Sequence, residues 1–289
     1  MANVKFSELI SIVSGDIAKK DTTQLIDTSA GTAKKVAFSE LDNRWFQSRD
    51  PFLAGEWHLV GTDHCDMPGN PSAGEICGPL NARVTQSGGT VLTAAANLTY
   101  DGGRYGFLKL RSPASAGYAQ YGSSNYSIVS SGQALLLRGT FRLDTKIPDG
   151  TDDSTFFFGF YDGSNALGND NAVFLLDRSV STTNWAVRTS QGGTDYDTVT
   201  GVALALNSWV LFEILLDVDN SNIKFYLNGS LVKETTSASE IPDDYIGWAA
   251  NKTWVAGALN EIYIDTIELW RKVNSTIDTA GVSVEGPGV

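Results

Sequence analysis

From residue 81 onward the chain is a succession of short apolar stretches separated by turn residues, and this alternation limits its fold more than any other feature. The stretches 134–143, 155–161, 172–176, 185–189, 209–218, 223–227 and 261–270 are each of strand length and bounded by Gly, Asn, Asp or Ser. None carries a 3.6-residue apolar period over three turns. Many short strands without helical periodicity predict an antiparallel sandwich or barrel. Within 209–218, Phe212, Ile214, Leu216 and Val218 share one face, the expected core side. Leu211, Glu213, Leu215 and Asp217 share the other, a mixed face expected to border a groove or a partner. Asp219-Asn220-Ser221-Asn222 reads as a hairpin turn, and Asn228-Gly229 as a type I′ turn.

Composition narrows the function classes. Hydrophobic residues make up 42% of the 289 and charged residues 19%, enough to bury a sizeable core. The net charge of -12 repels duplex nucleic acid, and the pairs Lys19-Lys20 and Lys34-Lys35 are too small to offset it. No apolar run approaches the ~20 residues of a membrane helix. Ser7, Glu8, Ser11, Ser14 and Asp16 interrupt the start, so no secretory signal is expected. The sequons at Asn97, Asn125, Asn228, Asn251 and Asn274 then read as turn and surface residues. The expectation is a soluble protein made in a cytoplasm.

Residues 1–50 have a different character. Phe-Ser-Glu-Leu occurs at 6–9 and again at 38–41. Between them, Thr23–Asp27, a Gly31-containing turn and Lys34–Phe38 predict one hairpin, with a short helix expected after Ser39 and Asp42. An isolated hairpin is marginal in water, so this segment should need a partner surface. Residues 51–80 are rich in Pro, Gly and Asp and read as an irregular loop or linker. Residues 81–272 form the expected sandwich, and 273–289 read as a flexible tail.

The stretch from Asn207-Ser208-Trp209 through Asp217-Val218-Asp219, followed by Ile223-Lys224-Phe225-Tyr226-Leu227-Asn228-Gly229, resembles the concanavalin A-like lectin/glucanase superfamily, laminin G-like domains included. Ile262–Trp270 resembles its closing strand. The resemblance implies a mainly β fold, an antiparallel jelly-roll sandwich preceded by a small attachment hairpin. It does not decide activity, because this fold carries lectins, hydrolases, lyases and structural modules. The leader resembles that of tailed-phage virion proteins. Phe6 to Leu9, Leu25-Ile26-Asp27, Gly31, Lys35-Val36 and Ser39-Glu40-Leu41 carry the likeness, although Ile10 stands where a Pro is usual. It implies attachment to a particle through Phe6, Leu9, Leu25, Ile26, Asp27, Gly31, Val36, Phe38 and Leu41.

Several constellations bear on chemistry. His58, His64, Cys65 and Cys77 are all the His and Cys of the chain. Cys65 and Cys77 admit three readings: a disulfide, free thiols in a loop, or half of a metal site whose spacing fits no standard finger. Glucanases of the superfamily use an E-x-D-x-(x)-E strand. The nearest match, Glu261-x-Tyr263-x-Asp265-x-x-Glu268, has Tyr263 in place of the central acid, and a regular strand would put Asp265 and Glu268 on opposite faces. Residues 81–272 hold no His for a lyase base. Asp149/Asp152/Asp153, Asn169-Asp170-Asn171 and Asp217/Asp219/Asn220 read either as calcium ligands or as ordinary turn residues, and no other cofactor is expected. Trp248 and Trp254 flank a polar loop and are the preferred aromatic pair for stacking on a sugar, with Trp185, Tyr196 and the Tyr-rich stretch 118–126 beside them.

These readings lead to one expectation: a structural protein of a bacteriophage particle, either tail fibre or spike or capsid fibre or decoration. It is made in the host cytoplasm and located in the virion. It is anchored by residues 1–50 to other virion proteins as a homo-oligomer, a trimer by analogy with phage appendages. It displays a lectin-like domain for host-surface glycan, with no nucleic acid and no membrane insertion. The alternatives are a polysaccharide-degrading hydrolase or lyase and a ligand-free capsid cement protein.

Overall fold

The computed structural model describes residues 22–27, 32–37, 57–63, 72–73, 75–77, 80, 82–87, 90–93, 108–111, 117–123, 133–143, 155–163, 167–218, 220–242, 246–254 and 261–273. The chain divides into two compact units, Met1–Glu56 and Trp57–Val289. In the first unit, β1 (Thr22–Asp27) and β2 (Thr32–Ala37) pair antiparallel, with Thr22 opposite Ala37 and Asp27 opposite Thr32. They form a two-stranded sheet of their own. The expected hairpin is therefore present. The helix expected after Ser39 lies outside the described residues.

The second unit is a sandwich of two antiparallel sheets. Its strands are β3 (Trp57–Asp63), β4 (Ile76–Cys77), β5 (Ala82–Ser87), β6 (Thr90–Thr93), β7 (Leu108–Arg111), β8 (Gly117–Ser123), β9 (Gln133–Leu143), β10 (Thr155–Tyr161), β11 (Asn171–Leu176), β12 (Asn184–Gln191), β13 (Thr194–Ala203), β14 (Trp209–Asp217), β15 (Asn222–Leu227), β16 (Ser230–Thr235), β17 (Gly247–Trp254) and β18 (Glu261–Val273). The first sheet runs β13-β12-β11-β10-β17-β8-β5-β4. The second runs β16-β15-β14-β9-β18-β7-β6, with β3 also on β18. Among the described residues the helical content is one 3-10 turn, Ala238–Glu240.

The linker reading of 51–80 needs revision, since it supplies β3 to the second sheet and β4 to the first. At thirteen residues, β18 outruns its neighbour β7, which pairs only with Glu261–Ile264. The remaining backbone groups of β18 need partners, and β3 provides them opposite Ile267–Lys272. The tail beyond Val273 lies outside the described residues.

Alternation fills the space between the sheets as expected. Phe212, Ile214 and Leu216 are buried in the shared core, and Val210 continues the row. From the facing sheet come Phe156, Phe158, Phe160, Phe174, Trp185 and Trp248. The Phe212 ring lies 4.6 Å from Phe174, 4.9 Å from Trp185 and 5.3 Å from Phe141, which joins the sheets through aromatic contacts. Gly139 makes room for this cluster, because a Cβ there would sit 2.4 Å from Phe141 and 2.7 Å from Phe158. At the β15–β16 turn, Asn228 and Gly229 have φ of 50° and 78°, the paired positive values of a type I′ turn.

Replacing Phe212 by Ala removes the ring common to these contacts. The expected loss is about 3–5 kcal/mol of stability, read by denaturant unfolding of the full chain.

Candidate functional site

Antiparallel sheets commonly leave one face to solvent, but the centre of the first sheet is buried on both. All six residues of β11 are buried, as are the last six of β10. Phe157, Tyr161, Val173, Leu175, Ala186 and Ala249 point away from the main core and form a second apolar cluster, packed by Leu167 and Val180. Leu167 and Val180 belong to the segments after β10 and β11, so the hairpin ends of the sheet fold over its outer face.

A polar row crosses this covered face. Tyr161, Gln120 and Asn251 stand on β10, β8 and β17, which are neighbours in the sheet. The Gln120 amide donates to the Tyr161 hydroxyl at 2.6 Å, and the Asn251 amide donates to the Gln120 carbonyl at 2.7 Å. Tyr161 and Asn251 are fully buried and Gln120 nearly so. Beside them run Gly159, Ala249 and Gly122, opposite one another on β10, β17 and β8. A Cβ on Gly122 would sit 2.5 Å from the Trp248 carbonyl, so this floor admits no side chain there.

Farther out, Arg188 forms the edge of the site. Its Nε donates to Asp197 Oδ1 at 2.7 Å and its Nη2 to Asp197 Oδ2 at 2.8 Å, while Nη1 lies 3.0 Å from Asp195. The bonds to Asp197, with the Asp195 and Asp177 charges, outweigh partial burial and raise the guanidinium above its ordinary value. Both carboxylates are thereby committed to one cation. The amides and phenol of this row are buried and bonded to one another, and the Arg188 guanidinium is held by its two carboxylates.

The carboxylates of β18 lie on the other sheet, and their placement corrects the regular-strand expectation. Ile264 pairs with Phe141 and Ile267 with Gly139, so β18 carries one extra residue at Asp265-Thr266. The bulge resets the alternation: Ile262, Ile264, Ile267 and Leu269 all face the core. Glu261, Tyr263 and Glu268 therefore share the outer face. Each acid is held by cations. Glu261 sits 3.1 Å from Lys109 and 3.2 Å from Arg111. Glu268 lies 3.9 Å from Arg138, which also meets the buried Glu213 at 2.9 Å. Burial alone would lower the Lys109 ammonium, but Tyr263 and Glu261 together raise it. Arg142 lies between the rings of Trp209 and Tyr263, at 5.2 and 4.7 Å. Glu261 and Glu268 thus take part in ion pairs with cations of β7 and β9.

Two of the proposed sugar-stacking aromatics are corrected. Trp185 and Trp248 are 2% and 1% exposed, so neither ring can meet a ligand. Both point inward because their strands alternate in phase with Val187 and Ala250 of the core. Tyr121, from the Tyr-rich stretch, packs against Trp248 at 6.1 Å and is also core. Tyr196 is exposed on β13. The side chains of Trp254, Cys65 and Cys77 lie outside the described residues, as does Asp219. Of the attachment residues, Leu25, Ile26, Asp27 and Val36 are on the β1–β2 hairpin. Phe6, Leu9, Gly31, Phe38 and Leu41 lie outside the described residues.

For calcium, the described residues contain no group of three or more His, Cys, Asp or Glu. Asp217 is bonded to Asn220, and Asp149, Asp152 and Asp153 lie outside the described residues. One oxygen each of Asp162 and Asn171 is buried without a hydrogen bond, short of the six to eight oxygens calcium takes.

Gln120, Asn251, Tyr161 and Arg188 did not stand out in the sequence. Gln120 carries a local signal, lying between Ala119 and Tyr121, whereas Asn251 is followed by Lys252 and Thr253 and carries none.

The fold is that of the concanavalin A-like lectin/glucanase class. The chain belongs to the SO2946-like family, whose C-terminal domain model matches residues 103–265. Among solved structures it resembles the protein of unknown function SO2946 from Shewanella oneidensis MR-1. Sequence identity is 17%, the match spans 84% of this chain and 97% of that one, and the TM-score is 0.56. It also resembles an endo-1,3-beta-glucanase from Streptomyces sioyaensis, at 10% identity over 76% of this chain and 98% of that one, with a TM-score of 0.50. No curated protein matches the sequence.

Changing Tyr161 to Phe removes the acceptor of the buried Gln120 amide. The expected cost is about 1–3 kcal/mol in denaturant unfolding, with the fold retained by circular dichroism.

Proposed function

We propose that this chain is a structural protein of a bacteriophage particle, in which residues 1–50 attach a lectin-like sandwich that recognises glycan on the host surface. The observation that carries this reading is the leading hairpin. β1 and β2 make a two-stranded sheet of their own, beside a sandwich with two eight-stranded sheets. Two strands in water hold together poorly without a further surface. A docking role explains why such an element precedes a self-sufficient domain. The surface is another virion protein, or further copies of the same hairpin arranged as a trimer.

Recognition is favoured over hydrolysis by the charge arrangement. Glu261, Glu268 and Glu213 are each tied to Lys or Arg. Of the aromatics proposed to stack on a sugar, Tyr196 is exposed and able to meet a ligand. The likeness to a glucanase makes polysaccharide the ligand class to test first.

Removing residues 1–50 should lower the sedimentation mass to that of one sandwich and abolish incorporation into particles. Unchanged mass and incorporation would refute the attachment role. On an array of bacterial surface glycans the full chain should bind at least one neutral polysaccharide. A Tyr196→Ala variant that stays folded should lose at least tenfold in that binding. Uniform silence of the wild-type chain would favour the ligand-free cement reading, and release of reducing ends would favour an enzyme.

A further inference from the structure

We propose that the opening between β13 and β16 is the sugar subsite of the recognition reading above, and that it takes a neutral saccharide through two adjacent hydroxyls. The inference rests on that reading and adds the residues that flank Tyr196 and the kind of sugar they select. Register places the parts. Tyr196 on β13 stands opposite Thr189 of β12. Thr189 alternates in phase with Trp185 and Val187, which enter the core. Tyr196 therefore points to the inner side of the first sheet, and because β13 is the last strand its ring stays 36% exposed. On the second sheet, Lys233 of β16 stands opposite Phe225, a core residue, so it too points between the sheets. β16 is the last strand of that sheet and touches β13. The 3-10 turn Ala238–Glu240 meets β12 and β13 and brings Glu240 to the same opening.

The polar groups beside the ring are held in place with bonding capacity to spare. The Thr189 hydroxyl donates to Glu240 Oε2 at 3.1 Å, and Lys233 Nζ lies 3.5 Å from the same oxygen. Both contacts use Oε2, so among the described residues Oε1 is left to accept a further hydrogen bond. An ammonium carries three donors, of which Glu240 engages one. The Lys233 and Glu240 side chains are 22% and 15% exposed, so a hydrogen bond made to them from a ligand competes with little water.

Charge selects the ligand. Lys233 and Glu240 cancel one another. A uronate would set its carboxylate beside Glu240, and an amino sugar its ammonium beside Lys233, whereas a neutral sugar meets neither repulsion. Adjacent hydroxyls on one sugar ring can serve both groups at once, one donating to Glu240 and its neighbour accepting from Lys233. Tyr196 supplies the apolar face for the ring itself. Asp195 and Asp197 alternate to the other face of β13, where Arg188 holds them, and do not enter the opening.

The probes are the bacterial polysaccharides of the array, untreated and after periodate oxidation and borohydride reduction, which destroy pairs of adjacent hydroxyls. The full chain should retain neutral polysaccharides that carry such pairs and bind the oxidised material at least tenfold more weakly. This arm uses the wild-type chain and depends on no variant folding. Glu240→Gln and Lys233→Met should each lose at least fivefold on the untreated material. Glu234→Gln, which removes the ion pair with Lys224 on the same β15–β16 hairpin, should bind as the wild type does. Circular dichroism checks that each variant is folded. Loss of binding in Tyr196→Ala but not in Glu240→Gln or Lys233→Met, equal loss in Glu234→Gln, or undiminished binding of oxidised material would each overturn the inference and leave the recognition reading standing. Silence of the wild-type chain on every polysaccharide would remove both.

Discussion

Aromatic packing between the two sheets is the interaction on which the rest of the structure depends. Phe212 on the second sheet meets Phe174 and Trp185 on the first, and Phe141 packs at a tilt against Phe156 and Phe158. These rings can interdigitate only if each strand keeps its inward phase, because a slip of one residue would turn the whole set outward. The same requirement decides which side chains point away from the shared core. With Trp185 and Trp248 drawn into the core, the outer face of the first sheet is left to Tyr161, Gln120 and Asn251.

The bulge at Asp265-Thr266 shows how local this control is. Without the extra residue, Ile267 and Leu269 would face away from the core that Ile262 and Ile264 enter. With it, four apolar residues point inward, and Glu261, Tyr263 and Glu268 line up outside. There they meet Lys109, Arg111, Arg138 and Arg142 from β7 and β9. A spacing that resembles a catalytic strand in the sequence thus becomes a set of cross-strand ion pairs. Buried pairs of this kind contribute less to net stability than their number suggests, but removing one partner strands a charge.

Much of the fold was legible in the sequence because strand alternation and turn chemistry act over a few residues. The core row Phe212, Ile214, Leu216, the Asn228-Gly229 turn and the leading hairpin all follow from such local rules. The bulge and the recruitment of β3 and β4 did not, since both arise from matching strand lengths across long separations. The candidate site was harder still. Trp248 beside a polar stretch looked like a surface aromatic, whereas its strand pairs with β10 and β8 at the centre of the sheet. Gln120 and Asn251 are 131 residues apart and acquire meaning only once β8 and β17 are neighbours.

The account places a weak two-stranded element in front of a robust sandwich and assigns to it the joining of this chain to a larger body. Hydrogen exchange across Thr22–Ala37 measures this directly, in the dilute chain and in assembled particles. The account predicts rapid exchange of these amides in the dilute chain and strong protection after assembly, with the β9, β14 and β18 amides protected in both. Full protection of Thr22–Ala37 in the dilute, monomeric chain would show that the hairpin needs no partner and would contradict it.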